Sequence, residues 1–284
     1  MERQNVTKPL KRKPKPKTVK VAICIPVYGD PKCKFMHSLM NLLIYSLSHA
    51  TLTVDGEERL LELNTFTVNC SMLTESRHTL VAAAIDWDAD YMLCLDADHV
   101  FPPQTLMRLL AHNLPAVGCN YPRRVTPTAP TAASCSSDED GIEHNLYTTQ
   151  EKADANLVEE CAHLGFGVLL LDMRVFDALQ YHADKEGHGN ILPLFMFEPT
   201  PNKIGMVGED VFFFRKLAAA GIRPFVDHSL SWEVGHCAEI ILTNAHAVAH
   251  QDKWIESRAA QREKRGAKVL ELETRSEAEM VDAK

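Results

Sequence analysis

The chain has 284 residues, 45% of them hydrophobic, which is enough apolar material for one large α/β domain with a buried core. A formal net charge of −8 argues against a body that holds nucleic acid by charge alone. No segment reaches the length of a membrane span, and the opening "MERQNVTKPLKRKPKPKTVK" has basic residues without the apolar stretch of a secretion signal, so a cytoplasmic protein is expected.

Residues 1–18 form an arm in which lysine alternates with proline. Such a segment can neither sustain a helix nor join a core, so it is expected to be disordered. It is either a solvated leader or an electrostatic handle for an anionic partner such as DNA or a membrane surface. From residue 19 the pattern changes. "VKVAICIPVYGD" is a β-rich apolar run closed by Pro, Gly and Asp, as expected of a buried parallel strand.

A helix is predicted next, with Phe35, Leu39, Leu43 and Leu47 on its inner face. "LELNTFTVN" alternates as a strand, and "TESRHTLVAAAIDW" reads as a second helix capped by Thr74. "DYMLCLD" is a third strand, "PPQTLMRLLAHN" a third helix with proline in its first turn, and "PAVGCNY" a fourth strand. "PRRVTPTAPTAASCSSDEDG" is a loop rich in Thr, Ala, Ser and Pro.

"GFGVLLLD" resumes a buried strand, with "MRVFDALQ" as a short helix behind it, and a long irregular stretch follows. "GEDVFFFRKLAAAG" is a helix whose acidic start suits its positive N-terminal end and whose Gly221 closes it. "IRPFVDHSLSWEVGH" reads as one or two strands ending at His236, and residues 251–284 as a charged helical or frayed tail. The domain proper is therefore 19–250. Alternating strands and helices imply a Rossmann-like, mostly parallel sheet with helices on both faces, with ligands beyond the carboxyl ends of the strands. The eight cysteines form no CxxC pair and read as reduced, mostly buried thiols.

Asp96 and Asp98 stand one residue apart at such a strand end. Two neighbouring carboxylates repel unless a cation lies between them, and a divalent ion that keeps positions for phosphate oxygens suits the pattern. The order of the motifs resembles the nucleotide-sugar-dependent glycosyltransferases of the A-type fold, family 2 and its bacterial and phage-encoded relatives. "VAICIPVYGD", "ESRHTLVAAAI", "LDADHVFPP", "GFGVLLLDMRVF", "GEDVFFFRKLAAAGIRPFVD" and the late "GH" carry the resemblance, across most of the chain.

The resemblance implies metal-dependent transfer of a sugar from a nucleoside-diphosphate sugar to an acceptor hydroxyl; an aspartate at position 210 suits inversion, although retaining enzymes share the fold and the metal motif. It places the metal on Asp96, Asp98 and His236, with manganese favoured over magnesium because a nitrogen ligand joins the set. Pro26, Val27, Tyr28, Asp30 and Ala97 would line the nucleotide pocket, and Arg77 would contact the diphosphate or form a surface ion pair. Asp210 is the expected base, Glu209 its competitor, and His163 and His228 are structural.

One feature departs from the family. No aspartate follows the second strand to read uracil, and Asn69 is a weak substitute. The acceptor stays open between a saccharide, a small molecule and modified DNA reached through the arm. Two rival readings remain. "DADHV" also fits the haloacid-dehalogenase phosphatase pattern, although that motif occupies a first strand, and a non-catalytic sugar- or nucleotide-binding module would keep the same fold.

Overall fold

The structure is a computed structural model and describes residues 18–54, 57–124, 128–137, 143–199 and 206–238. The chain divides into two compact units, Met1–Cys237 and Ala238–Lys284, and the elements below belong to the first. Apart from Thr18, the expected arm lies outside the described residues, as do the tail and the stretch 239–250 that was expected to close the domain.

The first half of the chain forms β1 (Thr18–Val27), α1 (Cys33–Ser48), β2 (Thr51–Val54), β3 (Glu57–Asn69), α2 (Leu73–Asp86) and β4 (Tyr91–Leu95). It continues through β5 (His99–Val100), α3 (Thr105–Ala111), β6 (Ala116–Gly118), β7 (Ala133–Ser137) and β8 (Glu143–Asn145). The second half adds α4 (Gln150–Asp154), β9 (Val158–Glu160), β10 (Val168–Asp172), α5 (Arg174–Lys185), β11 (Glu198–Pro199) and β12 (Met206–Val207). It ends with α6 (Glu209–Ala219), β13 (Phe225–Asp227), α7 (His228–Glu233) and β14 (Gly235–His236).

The central sheet has eight strands in the order β2-β3-β1-β4-β10-β6-β13-β9. The pairings make β3, β1, β4, β6 and β13 run one way, with β2, β10 and β9 against them. This is the mostly parallel α/β sheet that the alternation of elements implied. Side chains of β1 divide by the strand period of two. Ala22 and Cys24 enter a core with residues of α2, α5 and α6, whereas Val21, Ile23 and Ile25 enter a second core with α1, α3 and α7. Helices therefore cover both faces, and none of those described is long and apolar enough to cross a membrane.

Four local expectations need correction. The inner face of α1 is Phe35, Ser38, Leu39, Leu42 and Ser46, while Leu47 is exposed. Repeated steps of four residues drift by about 40° each around a helix, so by Leu47 the row has left the buried face. Thr74 is not a cap: α2 starts at Leu73 with Met72 as N-cap and no side-chain cap bond. The loop after Tyr121 contains β7, paired with β8. Finally, "HSLSWE" is the helix α7, because the Asp227 carboxylate accepts the Leu230 N–H at 2.8 Å and caps it.

Candidate active site

The loop after β4 is pinned by backbone hydrogen bonds from several directions. Asp96 N–H donates to the Gly167 carbonyl, Lys32 N–H to Ala97, and Cys237 N–H to Asp98, at 3.1, 3.0 and 2.8 Å. The two carboxylates consequently have fixed places at the carboxyl edge of the sheet. Beside them, β1 ends in the Tyr28–Gly29–Asp30 turn, where Gly29 takes φ +74°.

Between these segments lies a cleft of about 660 Å³. Pro26, Val27, Tyr28, Asp30, Asp96, Ala97, Asp98 and His236 all line it, so the structure gathers most of the residues singled out in the sequence around one space. Lys32, Cys70, Ser71, Ser76 and Arg124 complete its polar lining. Tyr28 is 82% exposed at its mouth.

Among the described residues, Asp98, His99 and His236 form a group whose ligand atoms all lie within 4.8 Å of one another. Antiparallel pairing of β5 with β14 sets His99 opposite His236, and their rings stack at 4.3 Å. The Nδ1 of His236 lies 3.0 Å from the Pro122 carbonyl, which only accepts, so Nδ1 is the donor there and a neutral ring would present its lone pair at Nε2. That lone pair faces Asp98 Oδ2 at 3.4 Å. Two acceptors set against each other are satisfied by a second ring proton or by a cation.

His99 points the same way. It is buried, and neither ring nitrogen has a hydrogen-bond partner, although Nδ1 lies 3.0 Å from Asp98 Oδ1. Burial opposes ionisation of Asp98, but its contacts with His236 and His99 and the charge of Arg124 hold the carboxyl well below the usual range. One carboxylate oxygen and two imidazole nitrogens are a donor set that fits a divalent transition metal.

The set differs at one member from the sequence expectation. Asp96 lines the cleft but turns towards Arg77, with Oδ1 3.6 Å from the guanidinium, and His99 joins the group instead. His99 follows Asp98 directly in the sequence, yet only the β5–β14 pairing shows that it meets His236. Arg124, whose guanidinium reaches Asp98 Oδ2 at 2.7 Å, was also missed, because it stands in a stretch that reads as a plain loop.

Arg77 requires a correction. It neither lines the cleft nor forms a surface pair, since its side chain is 6% exposed beneath Asp96. It donates to Glu209 Oε1 at 2.8 Å and lies 4.6 Å from the centre of the Phe166 ring. Burial alone would lower its pKa, but Asp96, Glu209 and Asp210 together raise it. Glu209 is raised by burial, with Arg77 opposing and Asp210 adding to the rise. Asp210 sits next in the first turn of α6, half-buried, where Oδ1 accepts the Val211 N–H at 2.8 Å. Neither Glu209 nor Asp210 is among the residues lining the cleft.

The second glycine of "GFG" is also explained. A Cβ on Gly167 would lie 2.4 Å from His99 Cε1 and 2.7 Å from the Tyr121 hydroxyl, while the Tyr121 hydroxyl accepts the Gly167 N–H at 2.8 Å. His228 is fully buried between Thr148 Oγ1 and Glu159 Oε2, at 2.8 and 3.0 Å. His163 is buried, with Nδ1 3.2 Å from Glu143 Oε2.

No family model and no curated protein matches the sequence. Solved structures similar to the fold include A197 from STIV, at 14% identity and TM-score 0.39 over 75% of this chain and 83% of that one. A structure of GalNAc-T7 with UDP, GalNAc and Mn2+ matches at 10% identity and TM-score 0.47, over 79% of this chain and 44% of that one. The catalytic domain of Drosophila β1,4-galactosyltransferase 7 in complex with xylobiose matches at 12% identity and TM-score 0.42, over 81% and 73%. At such scores the chemistry has to be read from the side chains themselves.

Proposed function

We propose that the protein is a metal-dependent glycosyltransferase that moves a sugar from a nucleoside-diphosphate sugar to an acceptor hydroxyl with inversion. The observation that supports it is the cleft at the carboxyl ends of β1 and β4, walled on one side by Tyr28 and Asp30 and on the other by Asp98 and His236. Its volume lies within the range of small-molecule and cofactor sites. Asp98 and His236, with His99 beside them, would hold the metal, and two nitrogens in the set favour manganese over magnesium. A divalent cation there supplies Lewis-acid neutralisation of the charge that develops on the diphosphate leaving group.

The remaining roles fall to the chain's own groups. Pro26, Val27 and Ala97 shape the pocket, Tyr28 packs on the base or ribose, and Arg124 offers a guanidinium to phosphate oxygens. Asp210 accepts the acceptor's proton, because the neighbouring Glu209 is engaged by Arg77 and is not free to act as base. Arg77 holds Asp96 and the start of α6 in one frame. An acceptor hydroxyl on a saccharide, a small molecule or a modified DNA base fits this reading. We assign the activity to a domain of residues 19–250 and place it in the cytoplasm, where free cysteines such as the buried Cys24, Cys94, Cys119 and Cys161 stay reduced.

Calorimetry with UDP, GDP and CDP in the presence of manganese tests the assignment. At least one should bind, and the affinity should fall at least tenfold with chelator and in Asp98→Asn. Equal affinity in both conditions would remove the metal from the reading. Hydrolysis of p-nitrophenyl phosphate in place of a nucleotide sugar would instead favour the phosphatase.

A further inference from the structure

Helix α1 is covered on one side only. Its inner residues pack on the sheet, but Met36, Met40, Ile44 and Leu47 are 40, 57, 65 and 58% exposed. At 3.6 residues per turn these four fall within about 80° of one another, so they make one continuous apolar stripe. Lys34 is the only Lys, Arg, Asp or Glu in the sixteen residues of the helix. Contiguous exposed apolar surface of this kind marks a protein or membrane contact.

The strand register shows what lies next to the stripe. Thr18, where the basic arm joins the fold, pairs with Leu60 of β3, and Leu60 pairs with Thr51 of β2. Thr51 comes just after α1 ends at Ser48. The Leu47 end of the stripe and the root of the arm therefore lie at the same edge of the sheet. The arm has six lysine or arginine residues between Lys8 and Lys17 and no acidic residue in that span.

We infer that this edge is a docking surface for an anionic bilayer. The α1 stripe enters the boundary between headgroups and acyl chains, and the lysines of the arm meet the anionic headgroups. Lasting attachment to a bilayer needs two signals, and an apolar helix face together with a polybasic segment in the same chain provides both. Duplex DNA would attract the arm but has no use for the stripe, and a second copy would bury the stripe without lipid. Docking is separate from nucleotide binding, because none of the four stripe residues lines the cleft.

Co-sedimentation of the full chain with phosphatidylserine-containing vesicles, and with phosphatidylcholine alone, tests the inference. The wild type should sediment with the anionic vesicles and lose them as salt rises. Met40→Asp with Ile44→Asp should lower the bound fraction by about tenfold, and Lys11→Glu, Lys13→Glu and Lys15→Glu together should do the same. Circular dichroism checks that each variant folds, and Met40→Ser with Ile44→Ser carries the test if the aspartates do not. The inference fails if the wild type ignores anionic vesicles or if the stripe variants bind them like wild type. It also fails if ultracentrifugation shows a dimer that the stripe variants dissociate while vesicles stay unbound, or if duplex DNA competes all of the protein off vesicles at equal phosphate.

Discussion

Replacing Arg77 by methionine is expected to destabilise the protein by about 3 kcal/mol near pH 8, the lower end of the cost of breaking a buried ion pair. The side chains of Arg77 and Glu209 are 6% and 10% exposed, and the bond between them is 2.8 Å long. The guanidinium lies 4.6 Å from the centre of Phe166, which belongs to an aromatic cluster with Phe195, Phe213 and Phe214 whose centroids are 5.1 to 5.6 Å apart along its contacts. Methionine fills most of the arginine stem, so the loss is mainly electrostatic. It leaves the Glu209 carboxyl buried, with Asp96 and Asp210 nearby and no opposing charge.

The cost depends on pH in a stated direction. Burial already holds the Glu209 pKa above its ordinary value. A carboxyl raised in the folded state contributes stability below its unfolded pKa, and that contribution is lost as pH rises through the folded value. Removing Arg77 pushes the folded value higher still, so the variant is closest to wild type near about pH 4 and falls behind as Glu209 must ionise. Urea unfolding at several pH values measures this, and a melting temperature lower by roughly 6 to 12 °C at pH 8 is expected. Adding Glu209→Gln should restore part of the loss. A variant within about 1 kcal/mol of wild type at pH 8, or a cost that does not change with pH, would refute the reasoning.

Asp210→Asn should retain nucleotide binding and lose transfer by at least about a hundredfold, since a base acts on the chemical step. Single-turnover kinetics decides it, and a near-normal rate alongside a dead Glu209→Gln would move the base to Glu209. Gly167→Ala should cost about 1–3 kcal/mol through overpacking and weaken metal-dependent nucleotide binding, because the new methyl collides with His99. Unchanged unfolding and unchanged calorimetry would show that the backbone gives way. His99→Ala should weaken manganese binding without manganese-free nucleotide binding changing, as titrations with the metal alone and with nucleotide in chelator would show.

How far the site is visible in the sequence depends on whether its parts are local. Strands such as "VAICI" and "YMLCL" are buried on both faces, so nearly every residue is apolar and the run announces itself. The carboxyl-edge position of Asp98 follows from the same pattern, because the strand must stop where its apolar run stops. Helix α1 carries apolar residues on both its inner and outer faces, so the sequence pattern alone cannot tell which row is buried, and packing selects Leu42 over Leu43 and Leu47.

The residues that the sequence reading missed, such as His99, or gave another role, such as Arg77, are held by contacts far apart in the chain. Two residues of β5 and two of β14 are too few to signal strands, yet their pairing sets His99 against His236 across more than a hundred residues. Arg77 looks like an ordinary cation on an amphipathic helix until α6 brings Glu209 within 2.8 Å of it. Both cases share one physical cause. A buried polar group must find a partner, and the partner is chosen by the topology of the sheet and not by sequence distance, so a single charged residue in an apolar helix face should be read as half of a pair whose other half the fold supplies.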